Sequence, residues 1–248
     1  MECSLRADLD EVDRVPVDLR DKWDVVFDES RLRIAVEPQN VNAGGKAVEM
    51  PFPITSSAVG NGLMKHLAPE QDVVFLRFYQ KFEAGFDVTG AGSFHNTGSL
   101  SAHYHVDGQS TPGIPADGTN KYLVSYETTV YSDGPPPGHL IAYVYHPLQR
   151  DDYGDIFYPT GLVSPNTSLP FDFGPNFVAM PNIAPALDTW QCYELMVKAN
   201  TPGQKDGRIG MWLDGKLIAD FQNLRFRDVA TLTIDYLSIG RYISPNEV

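Results

Sequence analysis

The chain has 248 residues, of which 42% are apolar, and a formal net charge of −13 from 19 basic and 32 acidic side chains. This size suits one β domain with a sizeable core, so we expect residues 1–248 to form a single domain, with residues 1–20 loosely attached. The acidic balance argues against nucleic acid as the partner, because phosphate binding requires clustered lysine and arginine.

The sequence also limits where the protein acts. It contains no run of 18 apolar residues, which argues against a membrane-spanning helix. No apolar signal-peptide core follows Met1, so we expect a secreted or periplasmic protein whose export signal has been removed. Cys3 and Cys192 are too few for a zinc cluster or a disulfide scaffold. They form one bridge or stay as free thiols, or Cys3 marks a lipid-modified N-terminus.

Short alternating segments separated by turn residues predict an all-β antiparallel sandwich. The helix-like residues 56–70 are expected to form a short surface piece. The predicted strands are residues 73–83, 98–106, 121–131, 139–146, 191–200, 207–213, 216–220 and 231–243. Asp214-Gly215 fits a two-residue hairpin turn. The proline-rich residues 131–138 and 164–188 are long connections of the kind that often line sites.

Three of the six histidines lie in residues 94–105, FHNTGSLSAHYH. Ser99, Ser101, His103 and His105 alternate with apolar residues, so a strand here has one polar and one apolar face.

The same alternation recurs on three other predicted strands. The side chains that share a polar face are Arg77, Tyr79 and Lys81 on the first, Ser125, Glu127, Thr129 and Tyr131 on the second, and Tyr143 and Tyr145 on the third. A face rich in tyrosine and histidine is typical of a concave sheet that binds sugars by stacking and hydrogen bonding. If these strands are neighbours in one sheet, their polar side chains line a single substrate groove.

Several chemistries fit these residues poorly. His103 and His105, with His95 or His146 as a third ligand, have zinc-binding spacing, but no acidic residue lies at a convincing distance. We therefore expect no metal or other cofactor, and nothing indicates a structural calcium. A glycosidase requires two carboxyl groups, and Glu127 is alone on the polar face unless Glu194 or Asp155 joins it. Neither a G-x-S-x-G motif nor a P-loop is present.

β-Elimination on a uronic-acid polymer fits better. It requires donors or a cation on the substrate carboxylate, a base for the C5 proton and an acid for the leaving oxygen. Tyrosine and histidine suit the last two roles, and a nearby cation such as Arg77 or Lys81 would lower the pKa of a tyrosine base. The alternative is that Tyr143 and Tyr145 are an aromatic pair that stabilises the sheet.

Residues 75–87, 92–102, 115–129, 140–155 and 188–228 together resemble the jelly-roll polysaccharide lyases of the alginate and glucuronan type. More broadly they are similar to the concanavalin-A-like lectin and glucanase superfamily. The resemblance covers residues 70–243. Its best-matched part is the scaffold pattern around Trp190, Tyr193 and residues 198–215, which carries no chemistry.

The resemblance implies a jelly roll with a substrate groove and a lyase activity. The family's paired tyrosines match Tyr143 and Tyr145. Its serine and arginine strand corresponds to residues 122–129, where Ser125 or Glu127 occupies the region and the arginine is absent. The family's lysine is replaced, with His95 the nearest residue.

We therefore expect a monomeric polysaccharide lyase that binds a polysaccharide or oligosaccharide. Tyr143 or Tyr145 is predicted to act as acid or base with His95 or His103, and Arg77 to hold the carboxylate. The substrate-binding residues are predicted to be Tyr79, Lys81, His105, Ser125 and Glu127. A non-catalytic, lectin-like protein and a glycoside hydrolase remain as alternatives.

Overall fold

The computed structural model describes residues 15–51, 57–88, 93–129, 134–165 and 171–244. These residues contain one α-helix, α1 (Val15–Lys22), and two short 3₁₀ helices, Glu29–Arg31 and Pro38–Asn40. The strands are β1 (Val25–Phe27), β2 (Arg33–Ala35), β3 (Ala47–Glu49), β4 (Val59–Gln71), β5 (Val73–Gln80), β6 (Ser93–Ala102), β7 (His105–Val106), β8 (Gln109–Ser110), β9 (Tyr122–Thr129), β10 (His139–Tyr145), β11 (Asp155–Phe157), β12 (Val163–Ser164), β13 (Gln191–Lys198), β14 (Gly207–Leu213), β15 (Lys216–Leu224) and β16 (Ile234–Ser244). In this part of the chain, α1 and the 3₁₀ helices are all too short or too polar to cross a membrane.

Two antiparallel sheets carry the described fold. The larger has the strand order β1-β4-β16-β6-β9-β10-β11-β12 and the smaller has the order β15-β14-β13-β5. Two hairpins, β2–β3 and β7–β8, form small sheets of their own. Neighbours that are distant in sequence, such as β16 between β4 and β6, show that the chain crosses between sheets as in a jelly roll. The predicted antiparallel β-sandwich is confirmed.

The core lies between the two sheets and follows from strand alternation. Leu100 on β6, Val124 on β9 and Ala142 on β10 are fully buried and pack with Leu195 and Ile209 of the smaller sheet. Burying one large aliphatic side chain contributes about 1.5–3 kcal/mol. The side chains that alternate with these residues project from the opposite side of the larger sheet, which we call the outer face.

The hairpin prediction at Asp214 and Gly215 is confirmed. Both residues lie between β14 and β15 and have positive φ angles, of 51° and 75°. A two-residue turn of this type requires left-handed backbone at both positions, which Asp-Gly adopts at low cost.

Two predictions about the strands are wrong. Residues 56–70 are expected to form a helix-like piece, but residues 59–70 belong to β4, which pairs with β1 and β16. Residues 73–80 form β5 as predicted, but β5 pairs with β13 in the smaller sheet. Both errors have one physical origin: strand pairing is decided by contacts with distant parts of the chain, and local periodicity does not contain them.

Candidate active site

A histidine–glutamate pair lies on the outer face, on the adjacent strands β6 and β9. His95 Nδ1 is 3.0 Å from Glu127 Oε2. The Glu127 side chain is 6% exposed and that of His95 is 37% exposed, so the carboxylate is enclosed while the imidazole reaches solvent. In the neutral tautomer in which Nδ1–H donates a hydrogen bond to Glu127, Nε2 is unprotonated and carries a lone pair. This is the arrangement of a general base held in one tautomer by a carboxylate.

The opposite side of the same two strands fixes the pair in register. Asn96 Nδ2 donates to the carbonyl oxygen of Thr128 at 3.2 Å and to its hydroxyl at 3.0 Å, and both side chains are buried. Each of these residues immediately follows a member of the pair. Because β6 and β9 are clamped here, the imidazole and the carboxylate stay within hydrogen-bond distance of each other.

The electrostatics of the pair favour the charged imidazole. Burial lowers the pKa of His95, but the charge of Glu127 and the hydrogen bond to it raise it more, so that the net pKa lies above the ordinary value of 6.5. The carboxylate therefore stabilises the imidazolium that forms when His95 accepts a proton.

Two tyrosines of β10 extend the site. The ring centroids of Tyr143 and His95 are 4.8 Å apart, and those of Tyr143 and Tyr145 are 5.7 Å apart. The Tyr143 hydroxyl accepts the Gly154 backbone N–H at 3.0 Å. Burial is the main cause that raises the pKa of both phenols. Protonated phenols suit proton donation, and the predicted role of a tyrosine as base is not favoured by these surroundings.

Hydroxyl groups line the face beside the pair. Ser99 of β6 lies opposite Ser125 of β9, and its hydroxyl is 2.6 Å from that of Ser238 on β16. Thr97, two residues after His95, has a φ of 81° and a buried hydroxyl that lacks a hydrogen-bond partner within the described ranges. A non-glycine residue in left-handed backbone costs about 1–3 kcal/mol, and such strain is often retained at functional sites.

Two further residues belong to this face and were not predicted from the sequence. Lys121, only 3% exposed, places Nζ 4.8 Å from the ring centroids of both Tyr104 and Tyr145 and donates to the Thr111 carbonyl and hydroxyl. Tyr242 of β16 lies beside His95, with ring centroids 6.1 Å apart. Strand alternation could have identified both residues. Lys121 continues the odd-numbered positions of β9 that face outwards, and Tyr242 lies an even number of residues from Ser238, on the same face of β16.

Three predicted groove residues lie elsewhere. Arg77 and Tyr79 are on the solvent side of β5, where the guanidinium pairs with Glu194 Oε2 at 2.8 Å. Lys81 follows β5 and binds the Gln39 carbonyl and Asp188. The prediction that they share a sheet with His95 is wrong because β5 belongs to the smaller sheet. Arg77 therefore does not reach a substrate on the outer face.

The histidines at the other end of β6 are also separated from His95. His103 lies after the end of the strand, with a φ of 50°, and is exposed. From residue 95 to residue 102 the strand extends about 23 Å at 3.3 Å per residue, so neither His103 nor His105 can join the pair. The prediction of one continuous strand through both histidines is wrong. His105 belongs to the β7–β8 hairpin, near Ser110, and burial lowers its pKa to about 4, so it is neutral.

The residues that the glycosidase and metal-site alternatives require are also not brought together. His146 pairs with Asp155 at 3.0 Å and both are buried, with Asp155 opposite the core residue Val144. Asp155 is thus on the core side of the larger sheet and Glu194 is in the smaller sheet, so neither is a second carboxylate for Glu127. No cluster of three potential metal ligands occurs among the residues that the structure covers. Cys3 and Tyr131 lie outside the described residues.

Comparison with known proteins gives matches in structure alone. The sequence matches no protein-family model and no curated protein at a significant level. Alginate lyase vAL-1 from Chlorella virus matches 88% of this chain over 83% of its own, with a TM-score of 0.54 and 15% identity. The endo-β-1,4-glucuronan lyase from the fungus Trichoderma reesei covers 89% and 79%, with a TM-score of 0.53 and 14% identity.

A mutant of alginate lyase Aly36B, solved in complex with an alginate tetrasaccharide, has a TM-score of 0.50 and 17% identity over 88% of this chain and 81% of its own. The predicted resemblance to jelly-roll polysaccharide lyases is therefore confirmed at the level of the fold.

Proposed function

We propose that this protein is a secreted polysaccharide lyase that cleaves a uronic-acid-containing polymer by β-elimination on the outer face. The observation that carries the proposal is the 3.0 Å contact between His95 Nδ1 and Glu127 Oε2 next to the Tyr143 phenol. It lies on a fold shared with alginate and glucuronan lyases. A histidine held by a carboxylate and a protonated phenol are the base and the acid that elimination requires.

In the proposed reaction, His95 Nε2 takes the C5 proton of the uronate. The electron pair of that C–H bond forms the C4–C5 double bond, and the C4–O bond to the neighbouring sugar breaks. The leaving oxygen receives the proton of Tyr143. Glu127 stabilises the imidazolium, and the hydroxyl of Ser125 donates a hydrogen bond to the substrate carboxylate in place of Arg77.

The extracellular location follows from the proposed substrate. A polysaccharide too large to enter the cell must be cleaved outside the cytoplasm, and we propose that the chain acts there as a monomer. Its partner is then a polymer or an oligosaccharide. The net charge of −13 disfavours polyanions at long range. Binding of a polyuronate therefore depends on local donors in the groove, and we expect affinity to increase with ionic strength.

The test is an assay of β-elimination that compares the parent with His95→Ala and with a control variant, His103→Ala. The protein is incubated with alginate, polyglucuronate and a neutral β-glucan, and the absorbance of new unsaturated ends is followed. We expect the parent to form unsaturated ends from one of the uronates. In His95→Ala the rate of their formation should fall by about two to three decades. His103→Ala, at the far end of β6, should keep the parent rate. Equal rates for the two variants would contradict the proposal.

A second function has an observation in its favour. Tyr143 and Tyr145 are buried, Tyr145 fully, as expected of residues that stabilise a sheet. If the parent protein binds a uronate polymer without producing unsaturated ends, the protein is a carbohydrate-binding module with a lyase fold.

A further inference from the structure

Two exposed aromatic rings lie at the β1 side of the outer face and have no part in the proposed chemistry. Phe27 is 46% exposed and Tyr242 is 40% exposed. Large aromatic side chains usually bury most of their surface, and an exposed pair on one face commonly marks a place where a ligand binds.

Gly60 lies between the two rings and, having no side chain, lets both of them pack close to the β4 backbone. A Cβ built on Gly60 would lie 3.3 Å from Phe27 Cε1 and 3.5 Å from Tyr242 Cδ2. Gly62 on β4 pairs with Phe27 on β1 and with Gly240 on β16. Gly62 and Gly240, the two positions next to the rings, are therefore also without side chains. The result is a stretch of bare backbone bordered by two aromatic rings, which we call the Gly60 slot.

The slot is continuous with the proposed active site. Tyr242 is opposite His95 in the register of β16 and β6, and their ring centroids are 6.1 Å apart. From β6 through β16 and β4 to β1 are three strand spacings, or about 14 Å. A ligand that crosses the strands from His95 to Phe27 is therefore longer than a single sugar ring.

We propose that Phe27 and Tyr242 form a sugar-stacking subsite that binds a pyranose ring of the polysaccharide chain next to the bond cleaved at His95. The proposal rests on the function proposed above and adds that the enzyme recognises an oligomeric stretch. The C–H face of a pyranose packs on an aromatic ring, and the side-chain-free backbone at Gly62 and Gly240 leaves no side chain beside the two rings to obstruct the sugar. The contact needs no charge, so it suits an acidic protein that binds a polyanion.

The smaller sheet supplies a matched control. Phe75 on β5 is 69% exposed and lies on the solvent side of the other sheet. It tests whether loss of any exposed phenylalanine changes polymer binding through nonspecific hydrophobic contact.

The experiment measures binding and cleavage separately. Affinity for alginate, polyglucuronate and a neutral β-glucan is measured by affinity electrophoresis for the parent, Phe27→Ala, Tyr242→Ala and Phe75→Ala. We expect each of the first two changes to weaken binding of one polymer by about threefold to tenfold, and Phe75→Ala to leave it unchanged. Phe27→Tyr keeps a flat ring and should restore affinity, whereas Phe27→Leu keeps apolar bulk and should not.

The outcomes distinguish the subsite from the chemistry. Weakened binding in Phe27→Ala with no elimination by the parent supports the subsite and rejects the lyase reaction. Elimination by the parent with unchanged affinity in Phe27→Ala and Tyr242→Ala overturns the subsite and leaves the lyase reaction intact. A parent that binds none of the three polymers, or a Phe27→Ala variant that changes only the oligomeric state, also overturns the subsite.

Discussion

Replacement of Glu127 by glutamine removes the charge that holds His95 and keeps a side chain of nearly the same size. Two unit charges about 4 Å apart attract by about 1 kcal/mol in water and by about 4 kcal/mol at an effective dielectric constant of 20. The His95 side chain is 37% exposed, so solvent screens the pair. We therefore expect the lower part of this range, about 1–2 kcal/mol.

The sign of the pH dependence follows from the raised pKa of His95. The folded protein holds the proton more tightly than the unfolded chain, so the stabilisation is fully present below the ordinary value of 6.5 and is lost as the pH rises through the raised pKa. Each kcal/mol corresponds to about 2–4 °C in Tm for a domain of this size. The parent should thus exceed Glu127→Gln in Tm most clearly near about pH 6, and the difference should shrink towards about pH 9.

The same substitution should move the pH profile of catalysis. A base must be unprotonated, so the parent's kcat/KM rises with pH through the raised pKa of His95. In Glu127→Gln, His95 is still partly buried but is no longer attracted by a carboxylate. The pKa of His95 therefore falls, and the acid limb of the kcat/KM profile moves to lower pH. The maximal rate falls because the imidazolium loses its counter-charge. Glu194→Gln, which breaks the Arg77 pair in the other sheet, is the control and should leave the profile unchanged. An acid limb that stays in place or moves to higher pH would refute the reasoning.

Three further predictions concern single side chains. Tyr143→Phe should lower the elimination rate by about two to three decades, whereas Tyr145→Phe should mainly lower Tm, and rates within about twofold of the parent for both would make the tyrosines structural. Arg77→Ala should leave kcat/KM within about twofold, since the guanidinium lies on the other sheet, and a loss of tenfold would contradict that placement. Burial lowers the pKa of Lys121 to about 8 from 10.5, so the cost of burying its charge is fully present below pH 8 and vanishes by pH 10.5. The Tm of the parent relative to Lys121→Met should therefore rise across that interval, and a constant difference in thermal denaturation would show that the ammonium is not desolvated.

Within each strand, the candidate site was largely predictable from the sequence. The alternation that places Ser125, Glu127, Tyr143 and Tyr145 on one side of β9 and β10 is a local property, because successive side chains of any strand point to opposite faces. The same alternation, extended to the residue directly before β9, would have placed Lys121 on this face as well.

The contact between His95 and Glu127 was not predictable in this way. The two residues are 32 positions apart, and they meet because β6 and β9 are neighbours whose register is fixed by Asn96 and Thr128. A shift of one residue in that register would turn one of the side chains to the core.

The sequence by itself determined the Asp214-Gly215 turn and the antiparallel β class, together with the apolar side of strands such as β9 and β10, although it did not identify β4 as a strand. These depend on φ and ψ preferences and on burial of neighbouring residues, which act over a few positions. Only the tertiary structure decided which strands share a sheet. It placed Arg77 on the far side of the sandwich with Glu194 and brought Tyr242, near the end of the chain, beside His95 and Phe27. Sheet membership is a choice among pairings of similar local energy, and it is decided by which arrangement buries the whole core at once.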